Sequence, residues 1–176
     1  MRKFLLSIGV MLFVATGAQA ISVTAEPDSL TVTPSTIFVI EFIAHDVGSP
    51  GCAGFLLNAA YDTDYVEVVG IENGTWAPWD PPEILPGEAG VVSYESYTLG
   101  GASTGSGTVV KVTFHCEGPG VAMIDWELVL YSSTSTLITE QGTVEVVQTP
   151  EPTTLAVFGG VLAALGVSFR SHRRKT

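Results

Sequence analysis

Positive charge is almost absent from the body of this sequence. Between Ile21 and Thr149 the only lysine or arginine is Lys111, set against seventeen carboxylates, a net charge of about −16. The whole-chain value of −11 conceals this, because the other six bases stand at the two ends. A surface so negative repels nucleic acid and anionic membranes, and nucleic-acid binding is excluded on that ground. Helical periodicity is also missing from the body, which excludes a bundle. Cysteine is nearly absent, with only Cys52 and Cys116. Catalytic signatures are lacking as well: there is no Gly-x-Ser-x-Gly elbow, no His-Glu-x-x-His and no phosphate-cradling loop. The reading is of a non-enzyme that needs no cofactor.

The two ends read as address labels. Met1-Arg2-Lys3 is a short positive segment, an apolar stretch from Phe4 to Gly17 follows, and Ala18-Gln19-Ala20 supplies the small-x-small pattern of a signal-peptidase site. Residues 1–20 are therefore expected to be a cleaved signal peptide. At the other end, Thr153 to Phe169 contains 17 residues without a charge, and the basic cluster 170–175 follows at once. At ~1.5 Å per residue this run spans about 25 Å, close to a hydrocarbon core. It is expected to be a transmembrane helix. Its basic end resists translocation, so the tail stays cytoplasmic and the body faces outward from the inner membrane.

The body, residues 21–147, shows short apolar-alternating runs separated by turn residues, the pattern of an all-β sandwich. Thr36 to Ala44 places Phe38, Ile40 and Phe42 on one face. Ala53 to Tyr61 does the same with Phe55, Leu57, Ala59 and Tyr61. Tyr65 to Ile71 follows the turn at Asp62-Thr63-Asp64, and Val91 to Tyr97 is a further strand with Tyr94 and Tyr97 on opposite faces. In Val109 to Cys116, Val110, Val112 and Phe114 point inward while Lys111, Thr113 and His115 point outward. Ile124, Trp126, Leu128 and Leu130 alternate with Asp125 and Glu127, and Thr143 to Val147 closes the domain. Gly48-Ser-Pro-Gly51, Gly100-Gly101 and Gly118-Pro-Gly120 are expected turns. Ala77 to Gly90, with four prolines, is expected to be a long surface loop, since proline cannot serve a sheet interior. About nine strands result.

Candidate sites are few. In an exported domain Cys52 and Cys116 are expected to form a disulfide closing 64 residues, for about 4 kcal/mol in the loop-entropy picture. Asp62 and Asp64 share one turn with Glu67 nearby, a weak calcium signal because no Asp-x-Asp-x-Asp-Gly loop is present. His45 beside Asp46, and His115, read as surface histidines. Trp76 and Trp79 flank Pro78 at the start of the proline-rich stretch. Their rings either stack on a ligand or fold back as a lid over one end of the sandwich.

Two resemblances follow. Thr149-Pro150-Glu151-Pro152-Thr153-Thr154-Leu155, then Gly159-Gly160, the apolar run and the arginine-rich end, resembles a PEP-CTERM sorting signal over 148–176. This resemblance implies processing near Pro150-Glu151-Pro152 by an exosortase of the bacterial inner membrane. Release to the cell surface or an exopolysaccharide matrix would follow. The body is similar to cohesin modules through Phe38-x-Ile40-x-Phe42, Gly54-Phe55-Leu56-Leu57-Asn58-Ala59-Ala60-Tyr61-Asp62, Gly107 to Phe114 and Gly142 to Val146. Thr63 stands where proline is usual. That resemblance implies a nine-stranded jelly-roll β-sandwich that binds a protein partner through a sheet face. The expected function is thus non-catalytic protein binding or scaffolding at the cell surface. The alternative is a carbohydrate-binding module that holds exopolysaccharide with Trp76 and Trp79.

Overall fold

The alternation of apolar and polar residues gives each strand one face to bury, and two such faces can hide only against each other. The computed structural model describes residues 20–81, 83–85, 89–98 and 101–149; the expected signal peptide up to residue 19 and the expected sorting motif and transmembrane helix from Pro150 onward lie outside them. Ten strands are formed: β1 (Ser22–Glu26), β2 (Ser29–Val32), β3 (Ile37–Cys52), β4 (Gly54–Tyr61), β5 (Val66–Asn73), β6 (Glu83–Leu85), β7 (Val91–Tyr97), β8 (Ser103–Cys116), β9 (Gly120–Tyr131) and β10 (Thr136–Gln148). They make a four-stranded sheet in the order β1-β3-β8-β5 and a six-stranded sheet in the order β2-β10-β9-β4-β7-β6. All pairings are antiparallel except β10 with β2.

The core follows the expected parity. Phe38, Ile40 and Phe42 from β3 and Val110, Val112 and Phe114 from β8 meet Phe55, Leu57 and Ala59 from β4 and Ile124, Trp126, Leu128 and Leu130 from β9, all buried. Two aromatic contacts join the sheets edge to face: Phe42 with Trp126 at 5.4 Å and Phe114 with Tyr61 at 5.8 Å between centroids. Such pairs add about 0.5–1.5 kcal/mol beyond the area they bury. Trp126 has room because Gly142 stands opposite it on β10, where a Cβ would come within 2.6 Å of the indole.

Three expectations need correction. The segment Gly48-Ser-Pro-Gly51 does not end its strand. β3 continues through it to Cys52 with register shifts, absorbed at Asp46 (φ 54°) and Gly51 (φ 85°). The proline-rich stretch is not wholly loop, since Glu83–Leu85 pairs with β7. It does so at the sheet edge, the one place where neighbouring prolines are tolerated. Among the described residues the strands number ten, where about nine were expected.

The disulfide is the third correction. Cys52 lies opposite Ser103, whereas Cys116 ends the same β8 thirteen positions further along. At ~3.3 Å per residue the antiparallel ladder holds the two cysteines roughly 40 Å apart, far beyond the ~6 Å a bridge can span. Both are free and buried. Burial pushes both thiols above their ordinary range, and Cys52 Sγ donates to the Gly54 carbonyl. Buried, protonated thiols are inert. Adding dithiothreitol should leave the thermal midpoint unchanged, and both thiols should react with a thiol reagent only after denaturation. A midpoint that drops on reduction would contradict this assignment.

Lys111 sits mid-strand on the outer face of the smaller sheet, its Nζ 2.8 Å from Glu41 Oε1, with Glu72 as its register partner on β5. The hydrogen bond from Lys111 is the main force holding the Glu41 carboxyl below its ordinary value, and Thr108 Oγ1 donates to it as well at 3.1 Å. A carboxylate whose folded-state pKa is lowered contributes stability above its unfolded value and loses it as the pH falls. The stability difference between wild type and Glu41→Gln should be present at neutral pH. It should shrink as the pH drops below 4.5 and through the lower folded-state value, read from urea titrations across pH. A difference that grows in acid would reverse the sign of the argument.

Candidate functional site

Among the described residues no element packs on the outer face of the six-stranded sheet, and strand register determines what it presents. Gln141, Glu127, Asn58 and Ser93 stand side by side across β10, β9, β4 and β7. The neighbouring row is Thr143, Asp125, Ala60 and Val91. Toward the other end come Val129, Leu56 and Glu95, then Tyr131, Gly54 and Tyr97. Hydrogen bonds tie the rows: Thr143 Oγ1 donates to Asp125 Oδ1 at 2.6 Å, Gln141 Nε2 to Glu127 Oε2, and Ser93 Oγ to Asn58 Oδ1 at 2.7 Å. Asn58, Ala60, Val91, Asp125, Glu127 and Gln141 line a shallow depression of ≈ 330 Å³. Val91, Tyr97, Val121 and Met123 are exposed apolar side chains of this sheet.

Tyr97 is 49% exposed, and its ring lies across Gly54, where a Cβ would come within 2.5 Å of Cδ1. Its hydroxyl donates to Glu95 Oε2 at 3.4 Å. Desolvation first, then the Glu95 charge, raises its pKa, so the phenol remains a neutral donor. Tyr94, two positions from Ser96 on the same strand, is by contrast fully buried, as alternation demanded.

Of the two alternatives for Trp76 and Trp79, their packing is that of a lid. Trp79 is only 8% exposed and packs edge to face on Phe55 at 5.0 Å. Trp76 is half-buried, lies against Gly107 and donates from Nε1 to the Thr104 carbonyl at 3.2 Å. The two rings contact each other at 6.1 Å. Beneath them a polar network pins the chain. Asn73 Nδ2 and Ser96 Oγ both donate to the Asp80 carbonyl, at 2.7 and 2.9 Å, and Tyr94 donates to Asn73 Oδ1 at 3.2 Å. Burial pushes the Tyr94 hydroxyl up to about 12, which keeps that donor protonated. Of the two rings on which the carbohydrate alternative rested, Trp79 is thus folded against the core and Trp76 is half-buried.

The other candidates are dispersed. Asp62 Oδ1 accepts the Asp64 N–H at 2.9 Å, closing an Asx turn, and both residues are exposed. Glu67 faces His115 across the β5–β8 ladder. Among the described residues no three His, Cys, Asp or Glu side chains gather to hold a metal ion. His115 Nδ1 pairs with Glu117 at 2.8 Å, and His45 Nε2 with Thr24 at 2.9 Å, both on the smaller sheet's side. The sorting motif Pro150, Glu151 and Pro152 lies outside the described residues. Alternation did show Asp125 and Glu127 as outward-facing. Their assembly with Asn58, Gln141 and Tyr97 depends on register across four strands, which no sequence signal carried.

No family model matches this chain, and no curated protein matches it. Solved structures do. The cohesin module of a Clostridium perfringens family 33 glycoside hydrolase superposes with a TM-score of 0.61 at 13% identity, over 75% of this chain and 97% of that one. The sixth cohesin of Acetivibrio cellulolyticus scaffoldin B, solved with a mutant Cel5 dockerin, gives 0.59 at 13% identity over 74% and 98%. A non-cellulosomal cohesin from the archaeon Archaeoglobus fulgidus gives 0.58 at 13% identity over 73% and 92%. At such identities the likeness is one of fold, and the described residues of this chain form a cohesin-like β-sandwich.

Proposed function

We propose that this chain is an exported surface or matrix protein whose cohesin-like domain binds a protein partner without catalysing a reaction. The outer face of the six-stranded sheet is the binding surface in this reading. The carrying observation is that face itself: open, only shallowly depressed, and mixing exposed apolar residues with ordered polar rows. Open faces of this kind suit a macromolecule better than a small substrate, which needs a concave pocket that encloses it. That one of the similar structures was solved with a dockerin supports the reading by analogy of fold. Export rests on residues 1–20, and sorting by an exosortase on Pro150-Glu151-Pro152 with the apolar run and basic tail behind it. The stiff Pro-x-Pro segment offers a processing enzyme an extended shape to read.

A photo-crosslinking residue placed at Asn58 should capture a protein from the host's surface extract, whereas the same residue at Thr113, on the smaller sheet, should not. Capture at Thr113 alone would move the binding surface to the opposite sheet, and capture at neither position would sink the binding reading. The lid geometry makes a separate prediction. Trp79→Ala should lower unfolding stability by about 3–5 kcal/mol, as removal of a buried aromatic does, measured by urea titration. Unchanged stability together with lost exopolysaccharide binding would restore the carbohydrate alternative.

A further inference from the structure

We infer that the partner is basic, and that an arginine or lysine of it anchors in a hollow between Asp80, Glu95 and Tyr97. This inference rests on the protein-binding reading above and names the partner's chemistry. The hollow has a volume of ≈ 280 Å³ and is lined by Asp80, Pro81, Glu95, Ser96 and Tyr97. Its components are placed by the fold. Glu95 and Tyr97 are two positions apart on β7 and share its outer face. Asp80 is brought to them by backbone bonds on both sides: its N–H donates to the Tyr97 carbonyl at 2.6 Å, and its own carbonyl accepts from Asn73 and Ser96. The Tyr97 ring lies across Gly54 and is half-exposed, and Asp80 and Glu95 line the same hollow. An aromatic face with adjacent carboxylates suits a guanidinium or ammonium group, through cation–π attraction and charge-assisted hydrogen bonds.

Charge complementarity selects this occupant over others. Asp125, Glu127, Glu145 and Glu95 all stand on this face, and the domain's one lysine lies on the opposite sheet, held by Glu41. A second copy would bring the same negative face and be repelled, so the surface is not built for self-association. A neutral glycan would leave the two carboxylates of the hollow without a counter-charge.

The test is titration calorimetry of the full chain in a nonionic detergent with hexa-arginine, and with a Gly-Ser hexapeptide as the neutral control, at ~0.15 M salt. Two double variants each remove two negative charges: Asp80→Asn with Glu95→Gln in the hollow, and Glu67→Gln with Glu72→Gln on the smaller sheet. Hexa-arginine should bind wild type and the Glu67/Glu72 variant within about twofold of each other. The hollow variant should weaken binding about tenfold, equivalent to about 1.4 kcal/mol. Tyr97→Leu should weaken binding severalfold without a change in charge, and Tyr97→Phe should retain it. Equal weakening by the two double variants would reduce the effect to net charge and overturn the anchor, as would equal binding of the neutral peptide. If Asn58 still crosslinks a protein in either of those cases, the binding face stands and only the basic-partner inference falls.

Discussion

Burial of the two inward sheet faces against each other is the constraint on which the rest of the structure depends, and the edge-to-face contacts of Phe42 with Trp126 and of Phe114 with Tyr61 cross that interface. Several aromatic rings lie over positions where there is no side chain. Gly142 lies under Trp126, Gly107 under Trp76, Gly120 under Tyr65 and Gly54 under Tyr97, and in each case a methyl group would come within 2.8 Å of a ring carbon. Substituting any of these glycines would displace an aromatic ring, so glycine, which otherwise weakens strands, has a packing role at these positions.

The two outer faces differ in how charge is used. On the smaller sheet, Lys111 pairs with Glu41 and is flanked by Glu72, and His115 Nδ1 pairs with Glu117. On the larger sheet the hydrogen-bonded partners of Asp125 and Glu127 are a neutral threonine and a neutral glutamine. Those bonds order the carboxylates without cancelling their charge. Uncompensated charge on an ordered, partly apolar surface steers an oppositely charged partner toward it and fixes the register of docking. Both faces carry exposed apolar side chains, Ile37, Val39 and Val69 on the smaller sheet, so the proposed choice of face rests on this difference in charge pairing.

The C-terminal strand is closed to its last residue. β10 runs between β9 and β2, Gln148 is buried with its Nε2 donating to the Tyr65 carbonyl at 2.7 Å, and the Thr149 N–H donates to Val32 at 2.9 Å. In the proposed sorting reaction, the folded domain therefore reaches the residue just before Pro150. Processing beyond that point leaves both sheets whole.

How much of this was legible in the sequence depends on the range over which the responsible force acts. Side-chain parity along a strand is local, so the inward set Phe38, Ile40, Phe42, Val110, Val112, Phe114, Ile124, Trp126, Leu128 and Leu130 was readable from alternation alone, and the sandwich class with it. Net charge is additive, so the acidity of the body needed no structure either. Strand order and register are set by long-range pairing and are not local. They decided that Cys52 and Cys116 stand at opposite ends of one ladder, that a glycine-proline segment continues a strand as a bulge, and that Glu83–Leu85 finds an edge. They also folded Trp79 onto Phe55 and brought Asp80 beside Glu95 and Tyr97. The sequence by itself determined which side of each strand is dry and how negative the domain is; only tertiary pairing decided which outward residues became neighbours, because proximity across strands is a property of register and leaves no trace in local periodicity.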